Sequence, residues 1–215
     1  MIVSRARRYI FVHIPKTGGT AMTLALEARA AACDIVIGDT PKARKRRRRI
    51  EGVRTAGRLW KHSRLADIEG LVAREEFGGL FCFTLVRNPW DRAASYYHWL
   101  RVQRFDHPAV KLARRLDFGA FLTDPAIAAS LRASCYADYM TDGAGVEHCD
   151  AWVRIEHLDE DLAPVEAHLG FGLRPLARVN PSDRAADYRR YYDDESAAWL
   201  GRLAAADIAR FGYRF

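Results

Sequence analysis

An α/β fold is predicted for this 215-residue chain: a central, mainly parallel sheet with helices on both faces, in three layers. Two observations predict it. Short runs of β-branched and aromatic residues recur along the sequence, each too short to be a helix. Each run is followed by a turn rich in Gly, Pro or Asn and then by a segment of helical composition, the order that builds parallel sheets.

Tyr9-Ile-Phe-Val-His-Ile14 is the first such run and reads as a buried strand. Pro15 to Gly19 breaks it, and Thr20 to Ala32, rich in Ala, Leu and Met, reads as a helix. A second short strand is expected over Asp34 to Gly38. Charge and small residues then predict an exposed basic loop over 39–57 with at most a helical turn. Ser63 is placed as the N-cap of a helix to about Arg74, with Leu65, Ile68, Leu71 and Val72 on one face. Leu80-Phe-Cys-Phe-Thr-Leu-Val86 is the clearest strand, apolar enough to be buried on both faces. Asn88-Pro89 turns the chain into a helix to about Arg104, capped by Asp91. Short helices and loops are expected over 105–148, the segment assigned to the acceptor side. Ala151 to Ile155 is a third strand. A helix from Asp159, which caps it, to Leu169 is stopped by Gly170, and a last one runs from about Asp194 to Phe211. One domain over 1–215 accommodates all of this.

Composition narrows the function classes. The chain is 49% hydrophobic and 28% charged, the balance of a globular protein. After the basic Met1 to Arg8, the apolar run ends at Pro15, too early for a signal peptide, and no 18-residue apolar stretch follows. A soluble, cytoplasmic protein is expected. Cys33, Cys82, Cys135 and Cys149 show no CxxC spacing and read as free thiols. The net charge is +7, and Lys42 to Arg49 alone holds seven basic residues; without them 27 basic face 27 acidic residues. That run reads either as a solvated loop or as a clamp for a polyanion, an anionic lipid surface or nucleic acid.

In a parallel sheet, ligands collect beyond the carboxyl ends of the strands. After the first strand stands Pro15-Lys-Thr-Gly-Gly-Thr20, then a helix. Its glycines let backbone N–H groups approach an anion; the helix start, the threonine hydroxyls and Lys16 add positive potential and donors. The triphosphate signature G-x-x-x-x-G-K-[ST] is absent. The plainer reading is a glycine turn beside an incidental lysine. After the strand at 80–86 stands Arg87-Asn-Pro-Trp-Asp-Arg-Ala-Ala-Ser95. Arg87 is suited to grip a phosphate through two hydrogen bonds, with Ser95 supporting it from the following helix. The alternative pairs Arg87 with Asp91 or Asp67.

Phe11-Val-His-Ile-Pro-Lys-Thr-Gly-Gly-Thr20 resembles the 5′-phosphosulfate loop of sulfotransferases, and Leu85-Val-Arg-Asn-Pro-Trp-Asp-Arg-Ala-Ala-Ser-Tyr96 resembles their 3′-phosphate motif. Arg154-Ile-Glu-His-Leu158 and the segment from Tyr191 to Phe215 are similar to the same group, nearest its bacterial family-2 and carbohydrate branch. The resemblance implies a P-loop-like fold and the donor 3′-phosphoadenosine 5′-phosphosulfate. Lys16, Thr17, Gly18, Gly19 and Thr20 would hold the phosphosulfate, and Arg87 and Ser95 the 3′-phosphate. Asn180-Pro-Ser182 would close over the nucleotide, and Glu156 would orient Arg154.

Sulfuryl transfer is an in-line displacement that needs positioning, charge stabilisation at the leaving oxygen and a base for the acceptor hydroxyl. Lys16 suits the first charge, and His62, in Lys61-His-Ser63, is selected as the base. His13, inside a strand, reads as core. His98, His107, His148, His157 and His168 show no metal-ligand pairing, and no metal is expected. The acceptor is a hydroxyl or amine; the basic run favours an anionic saccharide or glycolipid, with peripheral membrane contact compatible and nucleic acid disfavoured. Tyr96, Tyr97, Trp99 and Tyr136 are candidates either for stacking on a sugar or for core packing. Two other classes stay open: a small-molecule kinase or nucleotide hydrolase on a related sheet, and a non-enzymatic polyanion-binding protein led by 42–49.

Overall fold

The computed structural model describes residues 1–177, 179 and 183–215. Its strands are β1 (Ile2–Ser4), β2 (Tyr9–Val12), β3 (Ile35–Val36), β4 (Phe81–Val86) and β5 (Ala151–Arg154). Its α-helices are α1 (Gly19–Ala28), α2 (Pro41–Lys45), α3 (Pro89–Arg101), α4 (Pro108–Arg115), α5 (Phe118–Thr123), α6 (Pro125–Arg132), α7 (Tyr136–Tyr139), α8 (Leu158–Asp161), α9 (Ala163–Leu169), α10 (Asp194–Leu203) and α11 (Ala205–Phe211). The fold is mixed α/β, a central five-stranded sheet flanked by helices. The chain forms two compact units, Met1–Val86 with Tyr136–Val179, and Arg87–Cys135 with Asn180–Phe215.

The first unit holds the sheet, in the order β3-β1-β2-β4-β5. β2, β4 and β5 are parallel, with Phe11 opposite Phe83 and Leu85 opposite Val153. All four residues of β2 and all but the first of β4 are buried, which is why their sequences run apolar without alternation. β1 and β3 form an antiparallel edge on this trio. β1 is absent from the sequence reading, because three residues are too few to show a period. Its hairpin to β2 turns through Arg5 to Arg8, with Arg8 at φ +53°. The arginines there anchor the turn: Arg5 donates to both Glu76 oxygens at 2.7 and 3.1 Å and to the Leu71 carbonyl. Tyr9, Phe11, Met22, Leu26, Phe83 and Val153 centre the core.

Several expected elements take a different form. The helix expected from Ser63 to Arg74 is replaced by turns and two 3₁₀ segments, Ala66–Ile68 and Arg74–Gly79. The Ser63 hydroxyl accepts from Trp60 N at 2.9 Å, closing the turn before it rather than capping one after it. Gly70 sits at φ +98°, and a Cβ there would lie 2.3 Å from the Arg54 carbonyl oxygen, so the chain bends where a helix would continue. Leu65, Ile68, Leu71 and Val72 are nevertheless all buried. The expected helix over 159–169 is two: α8, then α9 with Pro164 in its first turn, where a missing N–H costs nothing. His157, not Asp159, stands at the N-cap of α8; Gly170 at φ +73° ends α9.

The second unit is helical around Trp90, Tyr97, Phe118, Phe121, Tyr188 and Leu200. Asn88, not Asp91, caps α3: its side chain accepts from Trp90 N at 3.0 Å, and Pro89 takes the first helical position. The last helix is interrupted at Ala204, giving α10 and α11. Tyr97 is core here, as Tyr136 is in the first unit, and Tyr96 and Trp99 pack partly buried against the second core; packing accounts for all four aromatics.

Candidate active site

The chain leaves β2 at Val12 and passes through His13 and Ile14, both buried, into the loop 15–20. φ is positive at Lys16 (+67°) and Gly18 (+83°) and not at Thr17 between them. Alternation of this kind turns successive N–H groups toward one concavity, the arrangement that binds anions. Lys16 is the notable member, because a non-glycine residue in the left-handed region costs about 1–3 kcal/mol and is held there only by its surroundings. The Thr17 hydroxyl, fully buried, donates to the Ile14 carbonyl at 2.9 Å and so braces the loop. That bond uses its single donor, which leaves the main-chain N–H as what Thr17 can offer a ligand.

Gly18 and Gly19 are required for different reasons. Gly18 needs its backbone conformation, and a Cβ there would rest 3.5 Å from Ile155 and 3.8 Å from Leu85. The loop therefore lies over the carboxyl ends of β4 and β5. Gly19 needs the absence of a side chain: a Cβ would fall 2.1 Å from Cδ2 of His13. α1 begins at Gly19 with no side-chain cap and no acidic residue in its first turn, so the positive end of the helix is not neutralised locally. Thr20, half-buried, makes no side-chain hydrogen bond among the described residues.

His62 belongs to the same unit. Its ring meets that of His13 edge-on, 4.6 Å between centroids, and its Nδ1 lies 2.7 Å from the His13 carbonyl oxygen. A carbonyl oxygen only accepts, so Nδ1 carries the proton and Nε2 presents a lone pair. Burial, with Lys61 and the terminal amine adding to it, lowers the His62 pKa to about 4, against the pull of the carbonyl bond. His62 is thus a neutral imidazole of fixed tautomer, one ring away from Gly19. Burial also holds His13 well below the usual histidine range. Lys61 pairs with Asp39 at 2.7 Å, and Trp60 stands edge-on to His62 at 5.0 Å.

Arg87 and Ser95 lie in the second unit. Arg87 follows the last residue of β4 and grips Asp91 through Nε at 2.7 Å and Nη2 at 2.5 Å. The other Asp91 oxygen accepts from Arg184 at 2.6 Å. All three side chains are at most 16% exposed, so this is a desolvated cluster rather than a surface ion pair. Ser95 is buried in the second turn of α3 and makes no side-chain hydrogen bond among the described residues. The Arg87–Asp91 pairing was an alternative open to the sequence; Arg184, 93 residues from Asp91 along the chain, carried no signal there.

Arg154, at the end of β5, is held by Asp161: Nε–Oδ2 is 2.7 Å and Nη2–Oδ1 is 2.9 Å. Asn180, Pro181 and Ser182 lie outside the described residues. Among the described residues no group of three or more His, Cys, Asp or Glu is placed to hold a metal ion, and no helix is long and apolar enough to cross a membrane.

No family model matches the chain, and no curated protein matches it in sequence. Among solved structures it is similar to the crystal structure of mouse sulfotransferase SULT7A1 complexed with PAP. The two superpose with a TM-score of 0.53 at 15% identity, over 94% of this chain and 84% of that one. The likeness is one of fold. This is a sulfotransferase-type α/β fold.

Proposed function

We propose that this protein is a sulfotransferase that moves a sulfuryl group from 3′-phosphoadenosine 5′-phosphosulfate to a hydroxyl or amine of an acceptor. The observation that carries the reading is the adjacency within one unit of an uncapped, strained anion loop and a neutral histidine of fixed tautomer, joined through the His13 ring. An anion cradle alone fits many enzymes; a base beside it, with no triphosphate signature in the loop, fits transfer from a donor that needs no metal-bound triphosphate.

The loop 15–20 would take the 5′-phosphosulfate, with Lys16, the main-chain N–H groups of Thr17, Gly18 and Gly19, and the Thr20 hydroxyl as donors. Arg87 and Ser95 would take the 3′-phosphate. In the reaction the acceptor oxygen forms a bond to sulfur while the bond from sulfur to the 5′-phosphate oxygen breaks. The acceptor proton passes to Nε2 of His62. The charge left on the phosphate oxygen meets Lys16 and the start of α1, and the products are a sulfated acceptor and adenosine 3′,5′-bisphosphate.

A thermal-shift comparison tests the reading. Adenosine 3′,5′-bisphosphate at 100 times its Kd should stabilise the protein by about 2.7 kcal/mol, and ATP with magnesium should not. His62→Ala should keep the nucleotide shift and lose turnover, whereas Lys16→Ala should lose both. Stabilisation by ATP with magnesium and none by the bisphosphate would replace the proposal with a kinase or nucleotide hydrolase.

A further inference from the structure

The basic run 42–49 divides into three sets of side chains. Lys42 donates to the Glu27 carbonyl, and Arg46 and Arg49 donate to the Asp34 carbonyl at 3.1 and 2.7 Å. These three tie the segment to the end of α1 and the loop after it, where carbonyls lack helical partners. Thr40 adds a bond to the buried Glu27 at 2.5 Å and caps α2. The run is therefore a docked helical turn, not a free loop. Lys45 and Arg48 point to solvent. Arg44 and Arg47, three apart on one face, line a cleft of about 370 Å³ together with Ile37, Leu59 and Trp60.

The cleft is built of opposed chemistries. Its floor is apolar: Val36 and Ile37 are each 3% exposed. One wall is the indole of Trp60, 43% exposed, with the Arg58 guanidinium 5.7 Å over its ring. The rim carries Arg44, Arg47 and the Lys61–Asp39 pair. Its volume is at the small end of the range of small-molecule sites, about 300–1,000 Å³. Trp60 also stands edge-on to His62, 5.0 Å between centroids, so the cleft and the proposed base share a wall. A large exposed indole beside two guanidiniums suits a ligand with an apolar ring face and a negative group.

We propose that this cleft receives the acceptor, and that the acceptor carries an anionic group held by Arg44 and Arg47 next to a ring that stacks on Trp60. This deepens the sulfotransferase reading and rests on it only in naming the ligand as acceptor; the cleft's preference for an anionic ring compound stands on its own residues.

Isothermal titration of the whole chain with phenyl β-D-glucuronide and with the neutral phenyl β-D-glucoside tests it. The glucuronide should bind at least tenfold tighter. Arg44→Gln/Arg47→Gln should remove that preference, and Trp60→Ala should weaken both ligands alike. Lys45→Gln/Arg48→Gln removes the same charge outside the cleft and should leave the preference intact. Equal affinity for the two glycosides, binding of neither, or an equal loss in the two double variants overturns the proposal. A parallel thermal shift with adenosine 3′,5′-bisphosphate separates the two readings. Glucuronide preference without a nucleotide shift sinks the donor assignment and keeps the cleft; a nucleotide shift without preference does the reverse.

Discussion

Adding one methyl group at Gly19 is the sharpest test of how the anion loop is built. In Gly19→Ala the new Cβ would stand 2.1 Å from Cδ2, 2.5 Å from Nε2 and 2.8 Å from Cγ of His13, where ordinary contact begins at 3.4 Å. The ring must therefore recede by about 1.3 Å, and it has little room to do so. It is 7% exposed, stacked on Phe11 at 6.1 Å and in contact with the His62 ring at 4.6 Å. Overpacking of this kind costs about 1–3 kcal/mol, or roughly 2–12 °C in Tm for a chain of this size. Gly18→Ala should cost a similar amount, about 1–2 kcal/mol, through its left-handed backbone, because its Cβ meets nothing closer than 3.5 Å. A double-mutant cycle distinguishes the two causes. Urea unfolding of Gly19→Ala in a His13→Ala background should show the penalty gone, since the space is then vacant, whereas Gly18→Ala should keep its penalty in that background. Equal costs for Gly19→Ala in both backgrounds would refute the packing argument.

Two further outcomes follow from the charges. The folded pKa of His62 is depressed to about 4 from the usual histidine value of about 6.5. Between those values the unfolded chain binds a proton that the folded chain does not, so stability is full above about pH 6.5 and falls as pH drops toward 4. The loss is of order 3 kcal/mol; His62→Gln should flatten part of that slope in urea midpoints measured from pH 4 to 8, and buried His13 should supply the remainder. An unchanged slope in His62→Gln would show that the ring is not held neutral by burial. Asp91→Asn should destabilise the protein by about 1–3 kcal/mol, because it leaves two desolvated guanidiniums facing each other. Asp187→Asn, which breaks an ion pair about half exposed on both sides, should cost under about 1 kcal/mol, and equal urea midpoints for the two variants would contradict the buried-cluster reading.

What the sequence disclosed and what it hid divide along the range of the interactions. β2 and β4 were legible because strands buried on both faces show unbroken apolar runs, and Gly170 was legible as a helix stop because its backbone demand is local. β1 was not, since three residues carry no period, and the arginines after it disguised a hairpin turn as a charge cluster. The apolar spacing of Leu65, Ile68, Leu71 and Val72 correctly marked burial but not helix. Non-helical turns bury the same four side chains, and the decisive constraint, Gly70 against the Arg54 carbonyl, lies 16 residues back. At the site, the glycines and Lys16 declared themselves by type. The tautomer of His62 depends on a carbonyl 49 residues away, and Arg184 reaches Asp91 across 93; no local pattern encodes either. Of the two readings open for Tyr96, Tyr97, Trp99 and Tyr136, packing is the one their burial fits, while Trp60, which the sequence did not distinguish, is 43% exposed.

His13 ties the loop 15–20 to His62, the proposed base, through contacts on both sides. Its ring fills the space that a side chain at Gly19 would need, so the glycine and the ring fix each other. Its carbonyl receives the Nδ1 proton of His62, and its ring packs edge-on against the same imidazole. The start of α1 and the imidazole proposed to accept the proton are thus linked through contacts with one buried residue. That coupling requires a histidine at position 13 only for shape, because burial keeps the ring uncharged. A smaller neutral side chain such as Asn fills less of that space, whereas Phe adds volume against Phe11.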